Sequence, residues 1–258
     1  MKSMQTFKAR PTRAGTALIG LFLLSVSAHA QEPRNAQGDD LYRYTRASQD
    51  GIGKIYMDRE ISRVMGHQAA GWLERPDRED EERTDLLIEN LPIRPGDRVA
   101  DIGAGTGYFS MPMAEVVGTT GTVYAVDIQP EMLAIIDERA ERAGISHIET
   151  VLATDRDPRL ARESIDMALF VDAYHEFEWP REVMSAVYAN LVPGGKVVLI
   201  EYRAEDRRIR IKPLHKMSEQ QARVEMEAVG FEFVQNSSFL PQQHFLVFEK
   251  PSSETIPQ

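Results

Sequence analysis

The chain has 258 residues, 42% of them hydrophobic and 27% charged, with a formal net charge of −10 and no cysteine. That apolar share is enough for a core and excludes a wholly disordered chain, and the acidic balance makes it a poor general binder of nucleic acid. The absence of cysteine excludes a disulfide scaffold, a zinc–thiolate centre and a cysteine nucleophile.

The first thirty residues are a different material. Lys2, Lys8, Arg10 and Arg13 come with no acid, an apolar run follows from Ala14, and Ala28-His29-Ala30 precedes Gln31. A basic n-region, a short h-region and a small-x-small site predict a secretory signal peptide over 1–30. The apolar run, about 15 residues long, falls short of the roughly 20 a stable membrane span needs. No Arg-Arg pair supports a twin-arginine signal. The expectation is export, with a periplasmic location and no stable membrane span after cleavage; an N-terminal membrane anchor or a cytoplasmic domain are the alternatives. Cleavage removes four positive charges and no negative ones, so −10 becomes −14.

Residues 31–40 are polar and read as a flexible linker. Across 41–92, Ile55, Met57, Ile61, Val64 and Met65 recur at roughly helical spacing, and 78–90 reads as a charged helix with Leu86, Leu87 and Leu91 on one face. This predicts an N-terminal helical region. From residue 97 the pattern turns regular. Strands are predicted at 98–102, 122–126, 147–152, 165–171 and 196–201, and helices at 108–117, 130–143, 180–191 and 218–229. An antiparallel pair at 231–234 and 244–249 closes the series, and 251–258 reads as a disordered tail. Alternating strands and helices with continuously apolar strands mean an α/β fold, a parallel sheet with helices on both faces. Ligands bind such sheets at the carboxyl ends of the strands.

The first of those ends reads Asp101-Ile102-Gly103-Ala104-Gly105-Thr106-Gly107-Tyr108. Glycines let a backbone approach a ligand closely at the start of a helix. Tyr108 stands where a dinucleotide fingerprint wants its third glycine, and Asp101 would repel a pyrophosphate. The same carboxylate suits a ligand with an amine or a sulfonium, and S-adenosylmethionine carries both. The second strand ends in Asp127-Ile128, where an acid can accept ribose hydroxyls. The third ends in Thr154-Asp155, the fourth runs into Asp172-Ala173-Tyr174-His175-Glu176, and Leu191-Val192-Pro193-Gly194-Gly195-Lys196 precedes the fifth.

With those motifs in that order, residues 93–250 resemble the class I S-adenosylmethionine-dependent methyltransferases. The resemblance implies a Rossmann-like, seven-stranded, mostly parallel sheet with a reversed last strand, with the 41–92 region as a helical lid. It implies that Asp101, Gly103, Ala104, Gly105 and Gly107 line the methionine end of S-adenosylmethionine and that Asp127 and Ile128 take the ribose. The adenine contact is open between Thr154 and Asp155, and Asp172 belongs to the same cofactor set. In the family, the loop after the fourth strand places groups near the methyl. His175 is the candidate base there, since imidazole titrates near neutral pH, with Glu176 to orient it or to bind a cationic acceptor. Tyr174, Tyr202, Arg203, His215 and His244 are the candidate acceptor contacts, and Trp72 and His67 could reach the acceptor from the lid. The basic run Arg207, Arg208, Arg210 and Lys212 could hold an anionic acceptor or face water. No metal site is expected, because the histidines are scattered with no i, i+4 pair.

The expected activity is methyl transfer from S-adenosylmethionine to a small-molecule acceptor. A non-catalytic S-adenosylmethionine-binding module and a nicotinamide-dependent oxidoreductase are the alternatives.

Overall fold

Residues 41–252 are described by the computed structural model. The signal peptide expected over 1–30, the 31–40 linker and tail residues 253–258 lie outside the described residues.

The leading segment is not the expected helical region at its start. Strands β1 (Tyr42–Tyr44), β2 (Gly51–Tyr56) and β3 (Arg59–Ser62) form an antiparallel sheet in the order β1-β2-β3. Tyr56 pairs with Arg59, so Met57 and Asp58 make a two-residue turn, with φ of 45° and 69°. Positive φ at both positions is the hairpin geometry that matches strand twist. Tyr42, Tyr56 and Ile61, one from each strand, are buried together against Trp179. Short helices come next: α1 (Ala70–Leu73), α2 (Arg78–Glu82) and α3 (Thr84–Glu89). The single helix expected over 78–90 is broken at Arg83, which is left-handed at φ 54°.

Among the described residues, seven strands build the main sheet. They are β4 (Arg98–Ile102), β5 (Thr122–Asp127), β6 (Ile148–Leu152), β7 (Ile165–Val171), β8 (Leu191–Tyr202), β9 (Glu232–Ser237) and β10 (Gln243–Glu249), in the order β6-β5-β4-β7-β8-β10-β9. The pairings from β6 to β8 are parallel, and β10 runs antiparallel to both its neighbours. This is the Rossmann-like sheet with a reversed last strand that the sequence led us to expect. Alternate residues of one strand feed opposite layers: Val197 and Leu199 join one buried cluster, Val198 and Ile200 the other. Helix α4 (Ser110–Val117) covers one face with Met113 and Val117; α6 (Pro180–Asn190) and α7 (Glu219–Glu227) cover the other with Met184, Val187 and Met226. Helix α5 (Pro130–Ala143) adds Leu133 and Ile136 over Ala125. Ser218 caps α7, its hydroxyl accepting from the Gln221 N–H at 3.1 Å.

The chain leaves β4 toward β5 and β6 on one side and returns through β7 and β8 on the other. The sheet therefore has its switch point between β4 and β7, where a crevice opens at the carboxyl ends.

Candidate active site

A cavity of about 790 Å³ occupies that crevice, walled by the ends of β4, β5 and β7 and roofed by residues from Ser62 to Leu73. Gly103 and Gly105, both left-handed, form its floor. An added Cβ would come within 2.8 Å of the Ala173 Cβ at Gly103 and within 2.7 Å of Leu73 Cδ1 at Gly105. Side chains are thus excluded where the backbone meets the cavity. Gly107 and Ala104 do not share this role. A Cβ at Gly107 would meet Ile136 of α5 at 2.9 Å, and Ala104 packs with Leu133 and Ile136, so both serve the helix–sheet contact.

Four acids near the strand ends have different surroundings. Asp127 lines the cavity with Ile128, and its two oxygens accept the Gly105 and Gln129 N–H groups, each at 2.9 Å. Burial raises its pKa, and those backbone bonds oppose the rise. Asp101 lies behind the wall, 2% exposed, with its carboxylate accepting the Ser110 hydroxyl at 2.6 Å. Burial pushes it up to about 6, the Ser110 bond opposing and Asp127 adding. The expected direct contact of Asp101 with a ligand amine is not what its position allows. Asp172 does line the cavity, in a left-handed conformation at φ 48°. One oxygen accepts from Gln243 Nε2 at 3.1 Å; the other, Oδ1, is buried with no partner among the described residues. Burial first, then Glu82 and Glu201, hold its pKa well above the ordinary carboxylate value. Asp155 is on the wall with its carboxylate 3.9 Å from Arg156. Its neighbour Thr154 is also on the wall but bonds within its own turn, accepting the Asp157 N–H at 2.9 Å.

Helix α2 brings a buried network to the roof. Glu82 accepts from Arg78 Nε at 3.0 Å, from the Tyr202 hydroxyl at 2.6 Å, and from Arg75. Burial alone would raise Glu82; Arg78 first, then Tyr202 and Arg75, bring it below its ordinary value. Tyr202 lines the wall, its phenol pushed up by burial.

The far end of the cavity holds His175 on a 3₁₀ turn, Tyr174–Glu176. Glu201, fully buried at the end of β8, takes the His175 backbone N–H at 3.2 Å and Nδ1 at 2.6 Å. A carboxylate only accepts, so Nδ1 carries a proton and Nε2 is the atom turned to the cavity. Burial lowers the His175 pKa, and Glu201 more than reverses this, leaving it above the ordinary histidine value. His215, on the 3₁₀ turn Pro213–His215, puts Nδ1 3.2 Å from His175 Nε2. Glu176 Oε1 lies 3.9 Å from His175 Nε2 and 3.5 Å from His215 Nδ1, while its Oε2 accepts the Met65 N–H at 3.0 Å. The histidines are scattered in sequence, but the fold joins these two to a carboxylate.

Three expected acceptor contacts sit elsewhere. Tyr174 is buried in the core with its hydroxyl on Glu225 at 2.8 Å. The Arg203 guanidinium is taken by the carbonyls of Leu240 and Pro241. His244 is held between Asn236 and Glu205, at 2.9 and 3.0 Å. From the lid, Trp72 reaches the wall, whereas His67 lies off it near Glu131. Of the basic run, Arg210 and Lys212 line the mouth, Lys212 bonded to Asp50 at 2.7 Å, and Arg208 is paired with Asp206. The sequence alone does not point to Glu82, Arg78 or the pairing of Glu201 with His175. For Glu201 the strand-end position is an available signal; Glu82 comes from a distant segment and carries none.

Residues 99–195 match the family model described as a methyltransferase domain. Over 118 residues the chain is 28% identical to the ubiquinone/menaquinone biosynthesis C-methyltransferase of Ectopseudomonas mendocina, covering 45% of this chain and 46% of that one. Over 117 residues it is 31% identical to the protein-L-isoaspartate O-methyltransferase of Aeropyrum pernix, covering 44% and 42%. The chain therefore spans less than half the length of these curated relatives. Its fold is that of a SAM dependent methyltransferase structure from Aquifex aeolicus, with a TM-score of 0.68 at 19% identity over 72% of this chain and 99% of that one. The domain match implies S-adenosylmethionine as the cofactor, and the glycine floor, Asp127 and the unpartnered Asp172 oxygen are groups that fit it.

Proposed function

We propose that the chain is an S-adenosylmethionine-dependent methyltransferase acting on a small molecule, with the cofactor over Gly103 and Gly105 and the acceptor at the His175 end. The observation that carries this reading is the buried, unpartnered Asp172 Oδ1 beside a glycine floor in a cavity large enough for two small ligands. Bound there, S-adenosylmethionine supplies an electrophilic methyl on a sulfonium centre. Asp172 Oδ1 would accept from its ammonium group, and Asp127 would accept from the ribose hydroxyls. Asp155, whose neighbour Thr154 is engaged in its own turn, is the better placed acceptor for the adenine amine. His175, Glu176, His215 and Tyr202 would meet the acceptor, and the roof would exclude water and align it for in-line transfer.

The roof of residues 62–73 and the acidic chain favour a small acceptor over a nucleic acid. The unpartnered Asp172 oxygen beside the glycine floor disfavours a pyrophosphate, and with it the oxidoreductase reading. The first test is calorimetric titration of the tag-free chain with S-adenosylmethionine and, separately, with NAD. Micromolar binding of the first and none of the second is expected. Silence with S-adenosylmethionine sinks the proposal, and binding with no demethylated product against any acceptor leaves the binding-module reading in its place.

We also propose that the chain is exported and works in the periplasm, on the strength of the 1–30 pattern alone. Among the described residues no helix is long and apolar enough to cross a membrane. Intact mass of the protein expressed from its full reading frame should correspond to a chain starting at Gln31. A mass starting at Met1 in the soluble fraction would overturn this.

A further inference from the structure

We infer that His175, His215 and Glu176 form a binding site for one first-row divalent transition ion, zinc being the type case, opening onto the acceptor end of the cavity. The donor atoms are His175 Nε2, His215 Nδ1 and Glu176 Oε1, separated by 3.2, 3.5 and 3.9 Å. In a tetrahedral site with bonds of about 2.1 Å, ligand atoms stand roughly 3.4 Å apart. The triangle already has that size, so an ion can bind with little movement of the side chains. Two imidazoles and one carboxylate is also a ligand set of catalytic zinc, with the remaining position left for water or substrate.

The surroundings are those of a ligand shell. Glu201 bonds Nδ1 of His175 at 2.6 Å, which fixes the ring and its tautomer and leaves the Nε2 lone pair on the side of His215 and Glu176. A carboxylate behind a metal-bound histidine is the usual second support of such sites. Glu176 is turned by its other oxygen, which accepts the Met65 N–H at 3.0 Å, leaving Oε1 free to bind through one atom. Charge points the same way. Asp172, Glu176 and Glu201 gather around the two rings, while Arg59 is engaged with Glu225 and Arg78 with Glu82. All three donors line the cavity, so the open position faces the acceptor. That the ion meets the acceptor's oxygen, nitrogen or sulfur rests on the proposed function; the ion site itself does not.

The test uses the full chain without a histidine tag, stripped with a chelator and dialysed against Zn²⁺, Co²⁺ or Mg²⁺. One Zn²⁺ per chain should bind at micromolar concentration or below, and bound Co²⁺ should show the strong visible absorption of a four-coordinate ion. Mg²⁺, which prefers oxygen ligands, should not bind at millimolar concentration. His215→Ala and Glu176→Gln should weaken Zn²⁺ binding on the order of 100-fold, and Glu201→Gln by roughly 10–100-fold. His215 is half-buried on a short surface turn, so its variant keeps the fold, checked by an unchanged melting curve for the metal-free protein. Absence of stoichiometric Zn²⁺ binding, or binding that His215→Ala and Glu176→Gln leave untouched, overturns the site. Calorimetry with S-adenosylmethionine on the same metal-free samples reads the cofactor assignment separately, so the two can fail independently.

Discussion

Asp172 and Asp101 are both acids buried at strand ends, and their surroundings assign them opposite duties. Asp172 presents an unpartnered oxygen to the cavity. Its replacement by Asn should weaken S-adenosylmethionine roughly 10- to 100-fold, the range of one charge-assisted hydrogen bond. The ligand-free variant should melt higher than the parent, because an acid held by Gln243 alone and crowded by Glu82 and Glu201 has been made neutral. Equal affinity in the calorimeter would dismiss Asp172 as the ammonium acceptor. Asp101, behind the wall on Ser110, should matter for stability instead. Its folded pKa, about 6, lies above the ordinary 3.8, so the folded chain holds the proton more tightly. Stability therefore falls as pH rises between those values, and the penalty is complete above pH 6. The shift corresponds to at most about 3 kcal/mol. Asp101→Asn should raise the melting temperature at pH 7.5 by several degrees and flatten the pH 4–6 slope, with cofactor affinity nearly unchanged. A lower melting temperature at pH 7.5 would show that the ionised carboxylate is compensated.

At the scale of elements, one ion pair fastens the small sheet to the large one. Arg59 of β3 grips Glu225 of α7 through two bonds, at 2.8 and 3.0 Å, and Tyr174 adds its hydroxyl to the same carboxylate. Glu225 is fully buried. Glu225→Ala strands a buried guanidinium and should cost about 3–5 kcal/mol in urea unfolding; a loss below about 1 kcal/mol would mean that Arg59 finds water. The elements legible in the sequence are those whose burial pattern is local. Ile165–Val171 is apolar except for Asp166, because both its faces are covered, and Pro130–Ala143 shows Pro at its start and Gly144 in the left-handed conformation at its end. The hairpin at 51–62 was misread because Ile55, Met57 and Ile61 fall at helical spacing by coincidence. Its turn also uses Met57-Asp58 rather than a glycine pair. In the site, Gly103, Gly105, Asp127, Asp172 and His175 were legible because strand ends face the crevice. Tyr174, Arg203 and His244 stood near strand ends too, but their polar atoms found Glu225, backbone carbonyls and Asn236 with Glu205 instead. Glu82 was invisible because only tertiary packing brings α2 against Tyr202.

For the molecule as a whole, the doubly covered sheet is a rigid base and the roof is the part that can yield. The roof is tied down at two places. Gln129 donates to the Met65 carbonyl at 3.0 Å and accepts the His67 N–H at 2.7 Å, and Glu176 accepts the Met65 N–H at 3.0 Å. These bonds straddle the cavity, one pair beside Asp127 and the other beside His175. Each contributes on the order of 1 kcal/mol. On the proposed function a cofactor enclosed below would leave by opening the roof, so these bonds would set its residence time more than its affinity. Gln129→Ala should accelerate S-adenosylmethionine release in stopped-flow about tenfold, and an unchanged release rate would place the exit elsewhere. On the proposed function the same three bonds would also hold back the spent donor: after methyl transfer it would wait on the unfastening of Met65 and His67, and the pace of the cycle would be set in the roof and not at the methyl.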